Sequence, residues 1–393
     1  MEYEEERLMQ LVNSGKAWEE QVSCAEDGVC LRSVDFDQPE GSNKDNEATK
    51  TFMLRDFHFQ ADITGGAMDM FSAANAQFCF DVFREMSYDH TTENLFFSPL
   101  GLLSTLAVVL FGARGESASQ IEKKYSDCME QLYKVKPENL DFKSNIEDTR
   151  MQINSWIENK TKGEIKGLWS YDDIMYSDEL VLINAVSFQG KWKHVFQKDQ
   201  TKTMVFRLDE SQSKPVQMMQ LQGVFKLGSI QEAGVQVLEM PDVEGHLSLV
   251  IILPTENVSL GQVLREITYE KLKSWISPTN MADTAVDLHL PQLRLDGCQG
   301  DYTSILATLG MTDVLDPSVA NLSGITVRGG LVVSRIIHTA ILKVTEDDYV
   351  LSPANSAGQV KNLQVFQVDH PFLISVLQKD TEALLFYGVV SNP

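Results

Sequence analysis

The run ELVLINAVSFQGKW, residues 179–192, constrains this chain more than any other stretch. From Leu180 to Phe188 it is apolar except at Asn184 and Ser187. It lacks the alternation of a half-exposed strand, so it reads as a strand buried inside a sheet. HLSLVIILP, AVDLHLPQLRL and ALLFYGVV, all later in the chain, read as strands as well. The earlier chain has helical texture. MDMFSAANAQFCFDVFREM places Phe71, Ala74, Phe78, Val82 and Phe83 near helical spacing. ENLFFSPLGLLSTLAVVLFGARG reads as an apolar strand, a Ser-Pro turn and a buried helix that stops near Gly112. EDTRMQINSWIENKTKGEIKGL continues a helical pattern through Ile146, Ile153, Trp156 and Ile157 and breaks near Gly163. Helices come first and strands later, without regular βα alternation, which predicts an α+β fold.

Composition narrows the functional classes. With 393 residues, 43% of them hydrophobic, the chain can build a large core. The longest apolar run, LLSTLAVVLF, falls short of the ~18 residues a membrane-spanning helix needs, so no membrane partner is expected. A net charge of −23 repels phosphate backbones, which argues against nucleic acid as a partner. Cys24, Cys30, Cys79, Cys128 and Cys298 are few, odd in number and scattered, which does not describe a disulfide framework and suits a reducing compartment. Residues 1–67 hold 15 acidic and 6 basic residues around the polar stretch QPEGSNKDNEATK. This segment reads as an acidic, disordered extension ahead of one folded domain, 68–393. The opening MEYEEERLMQ has no apolar signal-peptide core, so the cytoplasm is the expected location, with export by a signal-less route as the alternative.

A search for catalytic chemistry returns nothing specific. The histidines at 58, 90, 194, 246, 289, 338 and 370 are dispersed, and neither HExxH nor CxxC occurs, so no metal site is expected. There is no GxSxG elbow and no phosphate-binding loop, and Gly329-Gly330 reads as a hairpin turn. No cofactor and no enzymatic activity are expected. Taken alone, His338 reads as a satisfied core histidine.

The segments FCFDVFREM, NLFFSPLGLLSTLAVVLFGARGES, EDTRMQINSWIENKTKGEIKGL, LVLINAVSFQGKW, VDLHLPQLRLD, LGMTDVLDPSVANLSGI, HTAILKVTE and VDHPFLISVL, in that order, resemble the serpin family. The detail is similar to the ovalbumin-type, or clade B, members. The resemblance implies three β-sheets and about nine helices in one domain, and a monomer. It also implies inhibition of serine, sometimes cysteine, proteases, which would be the partners. In that mechanism an exposed loop is cleaved and then inserts into the central sheet as a new strand, with the acylated protease attached. Carried over by position, Ser98, Asn184 and His338 fall at the shutter beneath the sheet, and Trp192 and Glu346 at the breach where the loop enters. Gly101 stands where the family has Ser.

Two departures qualify these implications. Between Lys124 and Tyr125 the family pattern has some tens of residues, including a helix and a central-sheet strand, that this chain lacks. Unpaired ladder groups along ELVLINAVSF and reduced stability are therefore expected, with re-pairing to the strand near ENLDF as a partial rescue. The second departure is the loop KVTEDDYVLSPANSAGQVKN. The family hinge reads Glu-Glu-Gly-Thr followed by small residues. Here Glu346 and Asp347 keep the acids, while Asp348 replaces Gly, Tyr349 replaces Thr, and Pro353 follows. Asp348 disfavours positive φ, and Pro353 lacks the N–H that a central strand uses. The expectation is weakened or lost inhibition, the alternative being a non-inhibitory member acting as a protease substrate, binding protein or carrier. Counting from Glu346 puts the reactive bond at Asn362–Leu363; counting back from His370 puts it at Gly358–Gln359; Lys361 lies between and suits a trypsin-like protease.

Overall fold

The computed structural model describes residues 49–53, 65–87, 93–115, 117, 137–140, 145–169, 180–297, 300–325, 330–346 and 362–393. In chain order the early elements are β1 (Thr49–Met53), α1 (Gly65–Ser87), β2 (Leu95–Phe97), α2 (Pro99–Gly112), β3 (Pro137–Leu140), α3 (Ile146–Lys160) and β4 (Leu180–Gln189). The middle is β5 (Lys202–Arg207), β6 (Ser213–Ile230), β7 (Val235–Pro241), β8 (Leu247–Pro254), α4 (Leu260–Glu266), α5 (Tyr269–Trp275) and β9 (Ala282–Pro291). The chain then forms β10 (Leu293–Asp296), β11 (Gly300–Asp301), α6 (Thr303–Thr308), β12 (Val333–Val344), β13 (Gln364–Gln367), β14 (Phe372–Gln378) and β15 (Ala383–Val390). Helices dominate the first part and strands the second, as an α+β chain requires.

The sheet that positions the site runs β10-β12-β4-β1-β3, with β11 also on β12. At its centre β4 and β12 are parallel, from Leu180 opposite Val333 to Gln189 opposite Lys343, with one register shift between Val333 and Arg335. The near-continuous apolar run of β4 now has its explanation. Leu180, Leu182, Val186 and Phe188 belong to the main core, on the side where α2 packs. Val181 and Ile183 belong to a second cluster with Ile153 and Ile157 of α3, Trp169, and Ile337 and Ile341 of β12. Both faces of β4 are covered, and each fully buried aliphatic side chain contributes roughly 1.5–3 kcal/mol. Ile153 and Ile157, one turn apart, give α3 the apolar stripe that covers the sheet. Asn154 fixes α3 to the following loop. Its Oδ1 accepts from the Trp169 backbone N–H and its amide donates to the Trp169 carbonyl, each at 2.9 Å.

α2 is apolar all round and buried along almost its whole length, as a core helix should be. Ser98 caps its N-terminus and Pro99 occupies the first turn, where a missing N–H costs nothing. The larger sheet runs β13-β9-β6-β7-β8-β14-β15-β2, with β5 on β6. Among the described residues, the three sheets implied by the resemblance join into two hydrogen-bonded networks. The cause is β6, 18 residues long, which pairs successively with β5, β9 and β7. Six α-helices occur among the described residues, and none of the helices there is long and apolar enough to cross a membrane.

One described strand falls within the extension before residue 68. Thr49–Met53 is a strand, TKTFM, rich in the β-branched and aromatic residues that favour extended backbone. The edge of β4 expected to be unpaired is filled over part of its length, residues 180–183. β1 pairs parallel with its first half, from Lys50 opposite Leu180 to Met53 opposite Ile183. β1 also pairs antiparallel with β3, from Thr49 opposite Leu140 to Phe52 opposite Pro137. β3, the ENLDF segment expected to re-pair with β4, is joined to it through β1.

Candidate functional site

Ser98, Asn184 and His338 come from the start of α2, β4 and β12, and the fold brings them together in the core. His338 and Asn184 are register partners across the β4–β12 seam. The Ser98 backbone N–H donates to His338 Nε2 at 2.9 Å. Nε2 must therefore be the unprotonated nitrogen, and Nδ1–H donates to Asn184 Oδ1 at 2.8 Å. His338 is completely buried, and desolvation pushes its pKa down to about 3, with the hydrogen bond to Asn184 acting weakly the other way. Tyr302 packs edge-on against the imidazole with 5.5 Å between ring centroids.

The Ser98 hydroxyl is engaged elsewhere. It donates to the Leu385 carbonyl of β15 at 2.8 Å and accepts from the Gly101 N–H at 3.1 Å. His338 therefore cannot take a proton from this hydroxyl, and the pair has none of the wiring of a nucleophile and its base. Its chemistry is structural. One imidazole ties the helix N-terminus to the central pair of strands, and one hydroxyl ties it to the larger sheet. Gly101 has a local reason. A Cβ there would sit 2.4 Å from Asn184 Oδ1 and 3.2 Å from Ser98 Oγ, so the absence of a side chain makes room for the Asn184 amide.

Trp192 and Glu346 leave the sheet at one end, beyond the register pair Gln189 and Lys343. Trp192 is 2% exposed, lies at 67° to Phe188 across 6.1 Å, and covers Gly190 so closely that a Cβ there would meet its ring at 2.2 Å. Glu346 follows β12. Its Oε1 accepts from the Thr201 hydroxyl, and its Oε2 accepts from Gln292 Nε2 at 2.6 Å. The same end carries a charge cluster. Lys343 Nζ and Arg294 Nη1 meet Glu164 Oε2 at 2.5 and 3.0 Å, and hydrogen bonding from Lys343 holds the Glu164 carboxyl below the usual carboxylate range.

Asp347, Asp348, Tyr349, Pro353, Gly358, Gln359 and Lys361 lie outside the described residues. The chain resumes at Asn362, exposed and in the left-handed region at φ 66°, which Asn tolerates better than most residues. Leu363 is half-buried, and β13 then pairs parallel with β9 in the larger sheet. The loop thus leaves from the central sheet and returns to the other one. Sequence reading missed Thr201 and Gln292 as partners of Glu346, Leu385 as acceptor for Ser98, and Glu164 as the anchor of Lys343. Each contact joins residues more than 100 positions apart, except Glu346 with Gln292, which are 54 apart, and no local pattern announces any of them.

Comparison with known proteins places this geometry. The family model described as serpin (serine protease inhibitor) matches residues 73–124 and 119–393. Human serpin B11 is 31% identical over 393 aligned positions, covering 83% of this chain and 100% of that protein. Uncleaved ovalbumin, a crystal structure, superposes with a TM-score of 0.76 at 30% identity, over 82% of this chain and 100% of that one. A loop-inserted, cleaved ovalbumin mutant superposes less well, at 0.69 and 26% identity over 82% of this chain and 100% of its own. The chain belongs to the serpin family, among relatives of the ovalbumin type.

Proposed function

We propose that this protein presents a protease-cleavable loop but does not trap the protease that cuts it. One observation carries the reading. β12 ends at Val344, beside the pinned Glu346, so the chain that would have to enter between β4 and β12 begins with Asp347, Asp348, Tyr349, Val350, Leu351, Ser352 and Pro353. An entering strand needs small or apolar alternate residues and a full set of backbone donors. Tyr349 in a space suited to Thr costs roughly 1–3 kcal/mol, and Pro353 removes a ladder bond. Insertion competes with hydrolysis of the acyl-enzyme, and each 1.36 kcal/mol on its barrier slows it about tenfold. These terms together favour release of the protease over capture.

The protein then acts as a substrate, or as a binding or carrier protein, in a protease-containing environment; it is not itself an enzyme. Its expected cleavage points are the Gly358–Gln359 and Asn362–Leu363 bonds and the bond after Lys361. A cytoplasmic monomer is the simplest form, with signal-less export as the alternative route. The test is incubation with trypsin-like and chymotrypsin-like serine proteases, and with a papain-like cysteine protease, followed by denaturing gels and mass spectrometry. Clean cleavage within residues 347–363 with full recovery of protease activity is expected. A protease-linked band that survives boiling in detergent overturns the proposal.

A further inference from the structure

The family match begins at residue 73, yet a strand from before that point lies inside the sheet of the matched fold. The match also falls into two pieces that meet at residues 119–124. Serpin B11 aligns along its whole length while occupying only 83% of this 393-residue chain, so it has several dozen residues with no counterpart here. Between the two pieces the chain is short of material. The two strands that follow that point, β3 and β4, do not pair with each other in the sheet; β1 sits between them.

We propose that Thr49–Met53 is a complementing strand supplied in cis, and that the slot between β4 and β3 is a recognition site for one extended segment. The slot has a defined chemistry. Its β4 wall offers Leu180, Val181, Leu182 and Ile183 in parallel register, and its β3 wall offers Leu140, Asn139, Glu138 and Pro137 in antiparallel register. Recognition is through main-chain ladders on both edges, as in strand addition to a sheet. Unlike an added edge strand, this one is interior. Without it, both β4 and β3 would expose rows of unpaired N–H and carbonyl groups. The occupant suits the position. TKTFM contains no Gly or Pro, and two Thr and a Phe favour extended backbone, whereas QPEGSNKDNEA just before it does not. Pro137 opposite Phe52 brings no N–H to the ladder and marks where the β3 wall ends.

Thr49–Met53 is in this reading part of the fold. Hydrogen exchange on the full-length chain tests it. Amides of residues 180–183 should exchange slowly, comparably to those of the β4–β12 seam. Thr51→Pro should speed exchange at 180–183 and 138–140 by about tenfold or more, while Thr51→Val leaves it unchanged. A synthetic peptide spanning 47–55 should restore protection to the Thr51→Pro chain, and a scrambled peptide should not. If Thr51→Pro exchanges like the unmodified chain at 180–183, the proposal is overturned. If that variant does not fold, the unmodified chain decides. Fast exchange at 138–140, whose ladder partner is β1, alongside slow exchange at 336–342 overturns the proposal, and slow exchange at both upholds it.

Discussion

Ser98 presents its backbone N–H, and not its hydroxyl, to His338, at 2.9 Å from Nε2. This one contact fixes the tautomer, leaves Nδ1–H for Asn184, and makes the neutral imidazole a clasp across the strands between which a loop would have to pass.

The clasp should fail in acid. His338 has a folded pKa of about 3, against about 6.5 for free His. The unfolded chain therefore binds a proton between these values while the native chain does not. The stability that neutral His338 contributes is fully present above about pH 6.5 and declines as pH falls toward 3, by up to ~1.4 kcal/mol per pH unit. Urea titrations at pH 7.5, 6.5, 5.5 and 4.5 should show this fall, and a His338→Gln variant should show a shallower one. Parallel slopes for the two chains would refute it.

Asn184→Ala should leave the His338 Nδ1–H buried without a partner and cost about 1–3 kcal/mol. Gly101→Ala should cost a similar amount, roughly 1–3 kcal/mol, because its Cβ intrudes on the Asn184 amide and the helix must shift to admit it. The two losses should not add, since removing the Asn184 amide makes room for the new methyl group. A double-mutant cycle in urea is expected to give a coupling of about 0.5 kcal/mol or more, and strict additivity would contradict the contact.

Glu346→Ala should release the exit of β12 from Thr201 and Gln292. The global stability change should be small, about 1 kcal/mol, but limited proteolysis within residues 347–361 should accelerate by several-fold. Unchanged cleavage kinetics would show that Glu346 does not restrain the loop.

Replacing Asp348, Tyr349 and Pro353 together by Gly, Thr and Ala should raise the fraction of protease captured from a negligible level to a visible covalent band. The partition ratio, measured by titrating protease activity, should fall by about tenfold or more. No change on this triple exchange would mean that the barrier to insertion lies elsewhere, with the Asn184–His338 clasp the next element to loosen.

What sequence revealed was decided by local pattern. β4 was legible because nine residues with only Asn184 and Ser187 polar can rest nowhere but between two packed layers. The stripe of α3 was legible because Ile153 and Ile157 recur at helical spacing. The assignment of Ser98, Asn184 and His338 to one place needed the family likeness, since Asn184 and His338 are 154 positions apart and neither sits in a motif. β1 was illegible for a different reason. Five residues of moderate β preference in a polar segment do not announce a strand until their partners are known, and those partners lie about 90 residues further on in β3 and about 130 further on in β4.

That separation also sets a timetable for the nascent chain. β1 is synthesised early, but the β4 wall of its slot does not exist until residue 183 has been made. At 5–20 residues per second the wait is on the order of ten seconds. β12, which completes the other side of β4, begins only at Val333. Until residue 183 is made β1 and β3 can pair only with each other, and until β12 is made β4 waits with one edge open. The order of synthesis therefore leaves residues 180–189 without their β12 partner while about 150 further residues are made, and the larger sheet closes later still, when β13, β14 and β15 emerge.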